Sequence, residues 1–340
     1  MRTLVTGACG FVGRYLVGEL VSNGYQVLAS DIVEDHSAPA DALPGVGAEG
    51  RGVPPISVPE GGEYRRCDLL DSEAVRELIE DWKPECIFHL AAQSSAARSF
   101  EDPVGTLETN VIGMLSILES VKSVRASCEG RVHLLSVGSC EEYGKRSPED
   151  MPLHEESPIE PVSPYAVSKV AQSMLALQYG RAYDLNVCAT RSFSHTGPGQ
   201  MSRFVLPSFA KQCAEINAGI KEPVLKVGNL DVIRDFLDVR DVVRAYRLLI
   251  ERGEIGRIYN VCSSRGLNLK HALNMMVEQM SVEIRIETDP ALIRPADVPV
   301  LIGDNSKLRH DTGWEPGISI EQMIRDLMKY WKDVTAARAQ

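Results

Sequence analysis

Long apolar runs are missing from this sequence, and so is any surplus of positive charge. No stretch stays apolar for the roughly 20 residues that a helix needs to cross a bilayer. The chain carries 36 Lys and Arg against 47 Asp and Glu, which gives a formal net charge of −11. Nucleic-acid binding depends on clustered basic side chains, so this balance argues against a nucleic-acid partner. A small phosphorylated ligand needs only a few local donors and is not excluded.

Closely spaced cysteines are absent as well. The eight cysteines are scattered and never stand closer than twelve positions apart. No CxxC or other metal-type spacing occurs, so we expect no metal site and reduced thiols. The N-terminus leads directly into a predicted strand, with no signal-peptide pattern. These features predict a cytoplasmic protein without a membrane anchor.

A glycine-rich turn follows the first predicted strand. Residues 3–6 form a short apolar stretch, and Gly7, Gly10 and Gly13 come next, before a predicted helix that ends near Asn23. A strand, a glycine turn and a helix together hold a dinucleotide pyrophosphate on the amides of the helix N-terminus. The first glycine permits the tight turn, the second admits the phosphate, and the third lets the helix pack on the strand.

An acid ends the second predicted strand. Residues 26–30 form this strand, and Asp31 follows it. A carboxylate at this point accepts hydrogen bonds from an adenosine ribose and repels a 2′-phosphate. The position therefore favours NAD, with NADP as the alternative.

Further strands and helices alternate as far as residue 192. Predicted strands at 86–93, 132–137 and 186–191 are separated by helices at 71–82, 104–127 and 164–183. This alternation predicts an α/β fold, a doubly wound parallel sheet of the Rossmann type with a smaller C-terminal α/β domain. We assign residues 1–192 and about 232–262 to the cofactor-binding domain, which a strand at 257–261 rejoins. Residues 193–231 and about 263–340 form the substrate-binding domain, in which we expect a loop at 192–199 and a helix at 203–218.

One segment lacks any periodic pattern. Residues 37–62 hold five Pro and six Gly in 26 positions. This composition predicts an irregular surface insertion. A solvated loop explains it, and a flap over the adenosine end of the cofactor is the sharper alternative.

A tyrosine and a lysine stand four positions apart after Pro164. Tyr165 and Lys169 fall on one face of the predicted helix 164–183. An ammonium beside a phenol lowers the phenol's pKa, because the positive charge favours the phenolate. Such a phenol can exchange a proton with a sugar or alcohol oxygen near neutral pH. A hydroxyl, Ser139, follows the predicted strand 132–137, where ligands of open parallel sheets bind.

Together these residues resemble the extended short-chain dehydrogenase/reductases, over nearly the whole chain except 37–62. Several later stretches are similar to the branch of that superfamily that acts on GDP-mannose derivatives: Val227-Gly228-Asn229-Leu230, Arg234-Asp235-Phe236, Arg294-Pro295-Ala296-Asp297-Val298-Pro299 and Thr312-Gly313-Trp314-Glu315-Pro316.

The resemblance implies catalytic and cofactor-binding roles for particular residues. Tyr165 is the expected general acid, Ser139 holds the C4 oxygen of the sugar, and Lys169 binds the nicotinamide ribose. The remaining expected cofactor contacts come from the glycine turn and from the ends of the strands: Gly7, Gly10, Phe11, Val12, Gly13, Asp31, Asp68, Leu69, Leu90, Ala91 and Ala92.

The resemblance also implies a GDP-sugar substrate. Arg234 and Arg294 are expected to clamp its diphosphate, because a guanidinium fork matches phosphate geometry; surface salt bridges with Asp235 and Asp297 are the alternative. Lys226 and Asn229 are expected near the nucleoside. Further expected contacts are Ser94, Val205 and Ser194, and the family usually carries Asn in place of Ser194.

Two reactions remain open at this point. The resemblance favours reduction of the C4 ketone of GDP-4-dehydro-6-deoxy-D-mannose to GDP-D-rhamnose. A GDP-mannose 4,6-dehydratase needs a carboxylate two residues after the catalytic hydroxyl, and Glu141 stands there. Cys140, however, stands where dehydratases tend to carry Asp or Ser. An epimerase or another nucleotide-sugar reductase is a further alternative, and so is an NAD-sensing protein without turnover, although such proteins often lose the Tyr or Lys. A homodimer built on helices 104–127 and 164–183 is a further implication of the family.

Overall fold

The computed structural model describes residues 1–33, 62–124, 132–293 and 298–338. In these residues the strands are β1 Arg2–Thr6, β2 Gln26–Asp31, β3 Gly62–Arg66, β4 Cys86–His89, β5 His133–Ser139, β6 Asn186–Ser192, β7 Ser194–Thr196, β8 Val224–Val227, β9 Ile233–Asp238, β10 Ile258–Val261, β11 Gly266–Asn268, β12 Arg285–Thr288 and β13 Val300–Leu301. The α-helices are α1 Phe11–Ser22, α2 Ser72–Trp82, α3 Ala96–Glu101, α4 Pro103–Leu107, α5 Gly113–Val124, α6 Pro164–Tyr183, α7 Val205–Asn217, α8 Val239–Arg252, α9 Leu269–Val277, α10 Ser306–Thr312 and α11 Ile320–Arg338.

The main sheet is parallel and has seven strands in the order β10-β6-β5-β4-β1-β2-β3. Every pair in it runs in the same direction, as strands joined by crossover helices do. Helices cover both faces, so the predicted doubly wound sheet is confirmed. Strand β10 pairs with β6, which confirms the prediction that residues 257–261 rejoin this sheet.

Alternation along each strand supplies two cores. Val5 and Phe88 face one side of the sheet, where they pack with α1 and α8. Their neighbours Leu4 and Ile87 face the other side, where they pack with α2, α5 and α6. Successive side chains of a strand point to opposite faces, so near-continuous apolar runs are what a sheet covered on both faces requires.

A second part of the chain builds its own core. Helices α7, α9 and α11 pack around β8 and β9, with Trp331 and Phe209 buried among them. Strand β9 pairs with β7, β11 and β13 rather than with the main sheet. The sequence-based division placed residues 232–262 in the cofactor-binding domain, whereas sheet pairing joins β9 to the second part. The domain boundaries otherwise remain a prediction.

One local prediction was wrong: the expected loop 192–199 contains strand β7, because its backbone pairs with β9. The expected helix 104–127 is helical without a break from Pro103 to Val124, as α4, a π-helical turn at Glu108–Ile112 and α5. Residues 125–127 lie outside the described residues. The predicted insertion 37–62 lies outside the described residues except for Gly62, which begins β3.

A segment near the C-terminus returns to the first core. Trp314 is buried against α8, and its indole nitrogen donates a hydrogen bond to the Asp241 carbonyl at 3.0 Å. Helix α10 packs on α8 and β10. The nucleotide-binding half is therefore completed by residues that lie in sequence between β13 and α11 of the second part.

We predict that Trp314→Ala lowers the free energy of unfolding by about 3–5 kcal/mol, because it leaves a large cavity and removes a buried hydrogen bond. Denaturant unfolding followed by circular dichroism measures this loss. Ile220→Ala is the control, since Ile220 is exposed. Equal losses in the two variants would contradict the packing role of Trp314.

Candidate active site

The candidate site lies along the carboxyl edge of the main sheet. Strand β1 ends in the glycine turn, β4 ends in residues 90–93, and β5 ends in a short 3₁₀ helix, Cys140–Tyr143. These three strands are neighbours in the order β5-β4-β1, so their exits stand side by side. Ligands of open parallel sheets bind at this edge.

The glycine turn is shaped for a close-lying ligand. Gly7 has a φ of +70°, and a Cβ there would lie 2.6 Å from the backbone nitrogen of Ala91. A Cβ on Gly13 would lie 2.2 Å from the Gly7 carbonyl oxygen. Helix α1 has no side-chain cap at Gly10, so its first amides remain available to an anion. Phe11 and Val12 open that helix. The turn thus fits the pyrophosphate of a dinucleotide.

Asp31 lies at the end of β2 beside this turn. Its carboxylate accepts hydrogen bonds from the Cys9 N–H at 2.9 Å and from the Ile32 N–H at 2.8 Å. Burial raises the pKa of Asp31, and these backbone bonds oppose the rise. The carboxylate is thereby fixed where an adenosine ribose would reach it. Asp68 and Leu69 follow β3, the next strand in the sheet, and Leu69 contacts Gly113 of α5.

Tyr165 is a buried phenol near the exit of β5. Burial raises its pKa above the ordinary value, and the nearby Glu141 carboxylate adds to the rise. A hydrogen bond with the Ser139 side chain opposes the rise in the pKa. The phenol is therefore protonated at neutral pH, which suits a proton donor. The sequence predicted a phenol whose pKa an ammonium lowers; burial instead dominates the pKa in this structure.

Lys169 lies one helical turn further along α6. Its ammonium donates hydrogen bonds to the Val137 carbonyl at 3.0 Å and to the Gln172 side-chain oxygen at 2.9 Å. Burial lowers the pKa of Lys169 to about 8, and the Glu142 carboxylate opposes this shift. The Lys169 side chain is therefore protonated at neutral pH and loses its proton as the pH rises through about 8. Tyr165 and Lys169 thus share a helix face, as predicted, with the lysine anchored to β5.

Sequence reasoning missed the side chains that brace this helix. Asn110, which is fully buried in the π-helical turn, donates hydrogen bonds to the Ser168 hydroxyl at 2.8 Å and to the Gln93 carbonyl at 3.1 Å. Its side-chain oxygen accepts from the Gln93 N–H at 2.7 Å. A π-helical turn often marks a functional site. A polar side chain in an apolar helix was the signal that could have identified Asn110.

Two histidines near the edge have structural contacts. His89 ends β4, and its Nδ1 lies 2.9 Å from the Thr6 hydroxyl. Burial lowers the pKa of His89 to about 3, so the ring is neutral. His195 donates one hydrogen bond from its Nδ1 to the Phe193 carbonyl at 2.8 Å, and its ring stacks on Phe11 with the centroids 6.4 Å apart. The segment 193–200 therefore lies against Phe11, the first residue of the helix that follows the glycine turn.

The predicted substrate residues occupy several elements. Ser94 is exposed just after β4, Ser194 begins β7, and Val205 begins α7. Arg234 is half-buried on β9. Its positive charge acts on the thiol of Cys140: burial of the thiol raises the pKa of Cys140, and the Arg234 charge opposes that rise. Arg234 thus lies close to the Ser139 turn.

The predicted nucleoside residues lie on the second part of the chain. Lys226 and Asn229 are exposed at the end of β8. Between them, Gly228 approaches Leu292, where a Cβ would lie 2.6 Å from the carbonyl oxygen. Arg294 lies outside the described residues. The structure therefore places residues 226–229 beside the chain segment that leads to Arg294.

The family model described as GDP-mannose 4,6 dehydratase matches residues 4–327. The chain belongs to this family. It is an enzyme of the extended short-chain dehydrogenase/reductase type that works with a nicotinamide cofactor, which confirms the resemblance inferred from its motifs.

Individual relatives cover nearly the whole chain. GDP-6-deoxy-D-mannose reductase from Pseudomonas aeruginosa is 34% identical over 331 residues, with 97% of each chain covered. GDP-mannose 4,6-dehydratase from Yersinia enterocolitica is 26% identical, over 96% of this chain and 92% of that protein. The structure of RMD from Pseudomonas aeruginosa complexed with NADPH matches with a TM-score of 0.80 and 33% identity, covering 98% of this chain and 99% of that one.

Within the described residues, no helix is both long and apolar enough to cross a membrane.

We predict that Gly7→Ala weakens NADH binding at least about tenfold, because the added methyl group meets the Ala91 backbone and displaces the phosphate-binding turn. Fluorescence titration of the reduced cofactor measures the effect. Gly24→Ala is a matched control: Gly24 has a φ of +80°, but nothing lies within 4 Å of the point that its added methyl group would occupy. If both variants bind NADH alike, backbone strain rather than close approach determines the result.

Proposed function

We propose that the protein reduces the C4 ketone of GDP-4-dehydro-6-deoxy-D-mannose to GDP-D-rhamnose. The observation that carries the proposal is the buried, protonated Tyr165 phenol hydrogen-bonded to Ser139 beside the cofactor turn. Reduction of a ketone requires a proton donor at the carbonyl oxygen. The identity is 34% to a GDP-6-deoxy-D-mannose reductase and 26% to 29% to GDP-mannose dehydratases, which supports the reductase reaction.

The side chains have distinct tasks in this reaction. The bound reduced nicotinamide supplies the hydride for C4. Ser139 holds the ketone oxygen by a hydrogen bond, and Tyr165 gives that oxygen its proton as charge develops there. Lys169 holds the nicotinamide ribose, and its positive charge stabilises the tyrosinate that remains after proton transfer.

The substrate's nucleotide end is proposed to lie on the second part of the chain. Arg234 and Arg294 clamp the diphosphate, and Arg234 already stands near the Ser139 turn. Lys226 and Asn229 lie at the nucleoside. Ser94, Ser194 and Val205 complete the contacts. Ser194 has a shorter side chain than the Asn usual in the family, so we expect one weaker contact there.

NADH is the proposed preferred cofactor. The Asp31 carboxylate is fixed by two backbone amides, where it accepts from the ribose hydroxyls and repels a 2′-phosphate. The Pseudomonas structure holds NADPH, so NADPH is the alternative. The seven described cysteines are free and buried, which agrees with the reducing cytoplasm that we propose as the location.

Dehydration of GDP-mannose is the second candidate. The position of Glu141 favours dehydration, because this carboxylate lies close enough to Tyr165 to raise the phenol's pKa. Cys140 argues against it. The thiol packs in an apolar cluster with Phe193, Leu153 and Leu301, and burial raises its pKa. A packed thiol with a raised pKa is a weak acid, so it is poorly suited to protonate the C6 hydroxyl as it leaves.

We predict that the protein oxidises NADH steadily with GDP-4-dehydro-6-deoxy-D-mannose, and faster than it oxidises NADPH. Absorbance of the reduced nicotinamide measures the rate. Tyr165→Phe should lower kcat by about 10²–10⁴ because the proton donor is lost, while NADH binding stays unchanged. A parallel cuvette holds GDP-mannose with NAD. A keto product there, without net cofactor change, would show dehydration and refute the reductase proposal.

A homodimer is the proposed assembly. Helices α3, α4 and α6 and the π-helical turn expose large apolar side chains: Phe100, Val104, Leu107, Ile112, Val167 and Met174. These elements pack on one another, so the exposed side chains support an interaction surface here. On the same helical segments, Met114, Ile117, Leu118 and Leu177 instead pack in the core against the sheet.

We predict a dimeric mass in sedimentation at micromolar concentration and a monomeric mass for Val104→Glu, because a charge cannot be buried unpaired at the interface. Ile255→Glu is the control on another exposed loop. A wild-type monomer, or a dimer that survives Val104→Glu, would contradict this interface.

A further inference from the structure

A second carboxylate stands next to the catalytic turn. Glu142 is fully buried, and its Oε2 accepts a hydrogen bond from the Arg191 Nε at 3.0 Å. Arg191 is itself 2% exposed. Removing two charges from water is costly, and their attraction repays this cost only with good geometry and further hydrogen bonds. The pair therefore needs an explanation beyond its own attraction.

The other oxygen of Glu142 reaches the Ser139 backbone. Oε1 accepts hydrogen bonds from the Ser139 N–H at 3.1 Å and from the Ser173 hydroxyl at 3.2 Å. A Cβ on Gly138 would lie 2.4 Å from this oxygen, so the carboxylate occupies space that glycine leaves open. The Ser139 backbone N–H is thus bonded to Glu142, while the Ser139 hydroxyl is hydrogen-bonded to Tyr165.

Arg191 is fixed on β6 by three further contacts. The strand register pairs it with Gly138. Its Nη1 donates to the Glu155 carbonyl at 2.8 Å, and its guanidinium lies 4.6 Å from the centroid of the Tyr143 ring. Tyr143 in turn donates to the Asn260 side chain at 2.7 Å. A rigid arginine thereby sets the position of the Glu142 carboxylate.

We propose that Glu142 is a positioning residue, which Arg191 holds so that its carboxylate fixes the Ser139 backbone and aims the Ser139 hydroxyl at Tyr165. The inference rests on the proposed function only through the Ser139–Tyr165 pair, which serves reductase, dehydratase and epimerase chemistry alike. In this proposal Glu142 acts through Ser139 rather than on the sugar or the cofactor.

Two double variants separate positioning from charge. Glu142→Gln with Arg191→Met removes both charges but leaves an amide oxygen that can accept from the Ser139 N–H. Glu142→Leu with Arg191→Met removes both charges and this acceptor. Uncharged replacements of a buried ion pair are commonly neutral or stabilising, so both proteins should fold. Asp241→Asn is the control, since Asp241 is another buried carboxylate with an arginine and two backbone N–H partners.

We call Glu142→Leu with Arg191→Met the Leu/Met protein and Glu142→Gln with Arg191→Met the Gln/Met protein. We expect kcat of the Leu/Met protein to fall at least about 100-fold below that of the Gln/Met protein, because a misdirected general acid no longer contributes to the rate. The KM for NADH should be the same in both, and Asp241→Asn should keep wild-type kcat. Melting temperatures verify that each variant is folded. Equal kcat values in the two double variants would overturn the proposal.

A measurement without turnover keeps this test independent of the substrate. In protein labelled with [13Cζ]tyrosine, the Tyr165 resonance is identified by its absence in Tyr165→Phe. It should move in the Leu/Met protein and stay near its wild-type position in the Gln/Met protein. A wild type that reduces no keto sugar refutes the proposed function, whereas an unmoved Tyr165 resonance refutes the positioning role.

Discussion

The parallel register of the main sheet determines where every polar group of the site can lie. Because all its strands run the same way, their carboxyl ends open on one edge. The β5–β6 register sets Gly138 opposite Arg191 and Ser139 opposite Ser192. The glycine turn after β1 then faces the exits of β4 and β5. A slip in this pairing would displace the cofactor turn, the hydroxyl and their supporting side chains together.

Burial determines the chemistry at that edge more than any single charge. It keeps the Tyr165 phenol protonated, lowers the pKa of Lys169 to about 8 and keeps the His89 ring neutral. Nearby charges add to or oppose the pKa shifts that burial causes. Glu141 raises the pKa of Tyr165 further, and Glu142 opposes the lowering of the pKa of Lys169. A ketone held by Ser139, as we propose, would meet a proton donor rather than a base.

Much of this arrangement could be predicted from local patterns. The glycine spacing, the acid after β2 and the Tyr–Lys pair depend on backbone geometry that a few neighbouring residues specify. The direction of the Lys169 side chain is not specified in this way, because its ammonium donates hydrogen bonds to Gln172 and to the Val137 carbonyl of β5. Nor does the sequence say which of two adjacent glutamates is buried, since Arg191 and Ser173, which bond Glu142, are distant from it in the chain. The pairing of β9 with β7, β11 and β13 is not specified locally either, because these partners are distant in the chain.

The return of Trp314 to the first core has a consequence for how the protein is made. The Trp314 indole packs in the first core with α8, and α10 packs on α8 and β10. The Asp241 carboxylate accepts hydrogen bonds from the backbone N–H groups of Gly317 and Ile318. A ribosome releases these residues only after the second part has emerged as far as β13, with α11 still to follow. Until then, the face of α8 that Trp314 covers stays exposed. Long-range contacts of this kind slow folding and leave apolar surface exposed during synthesis.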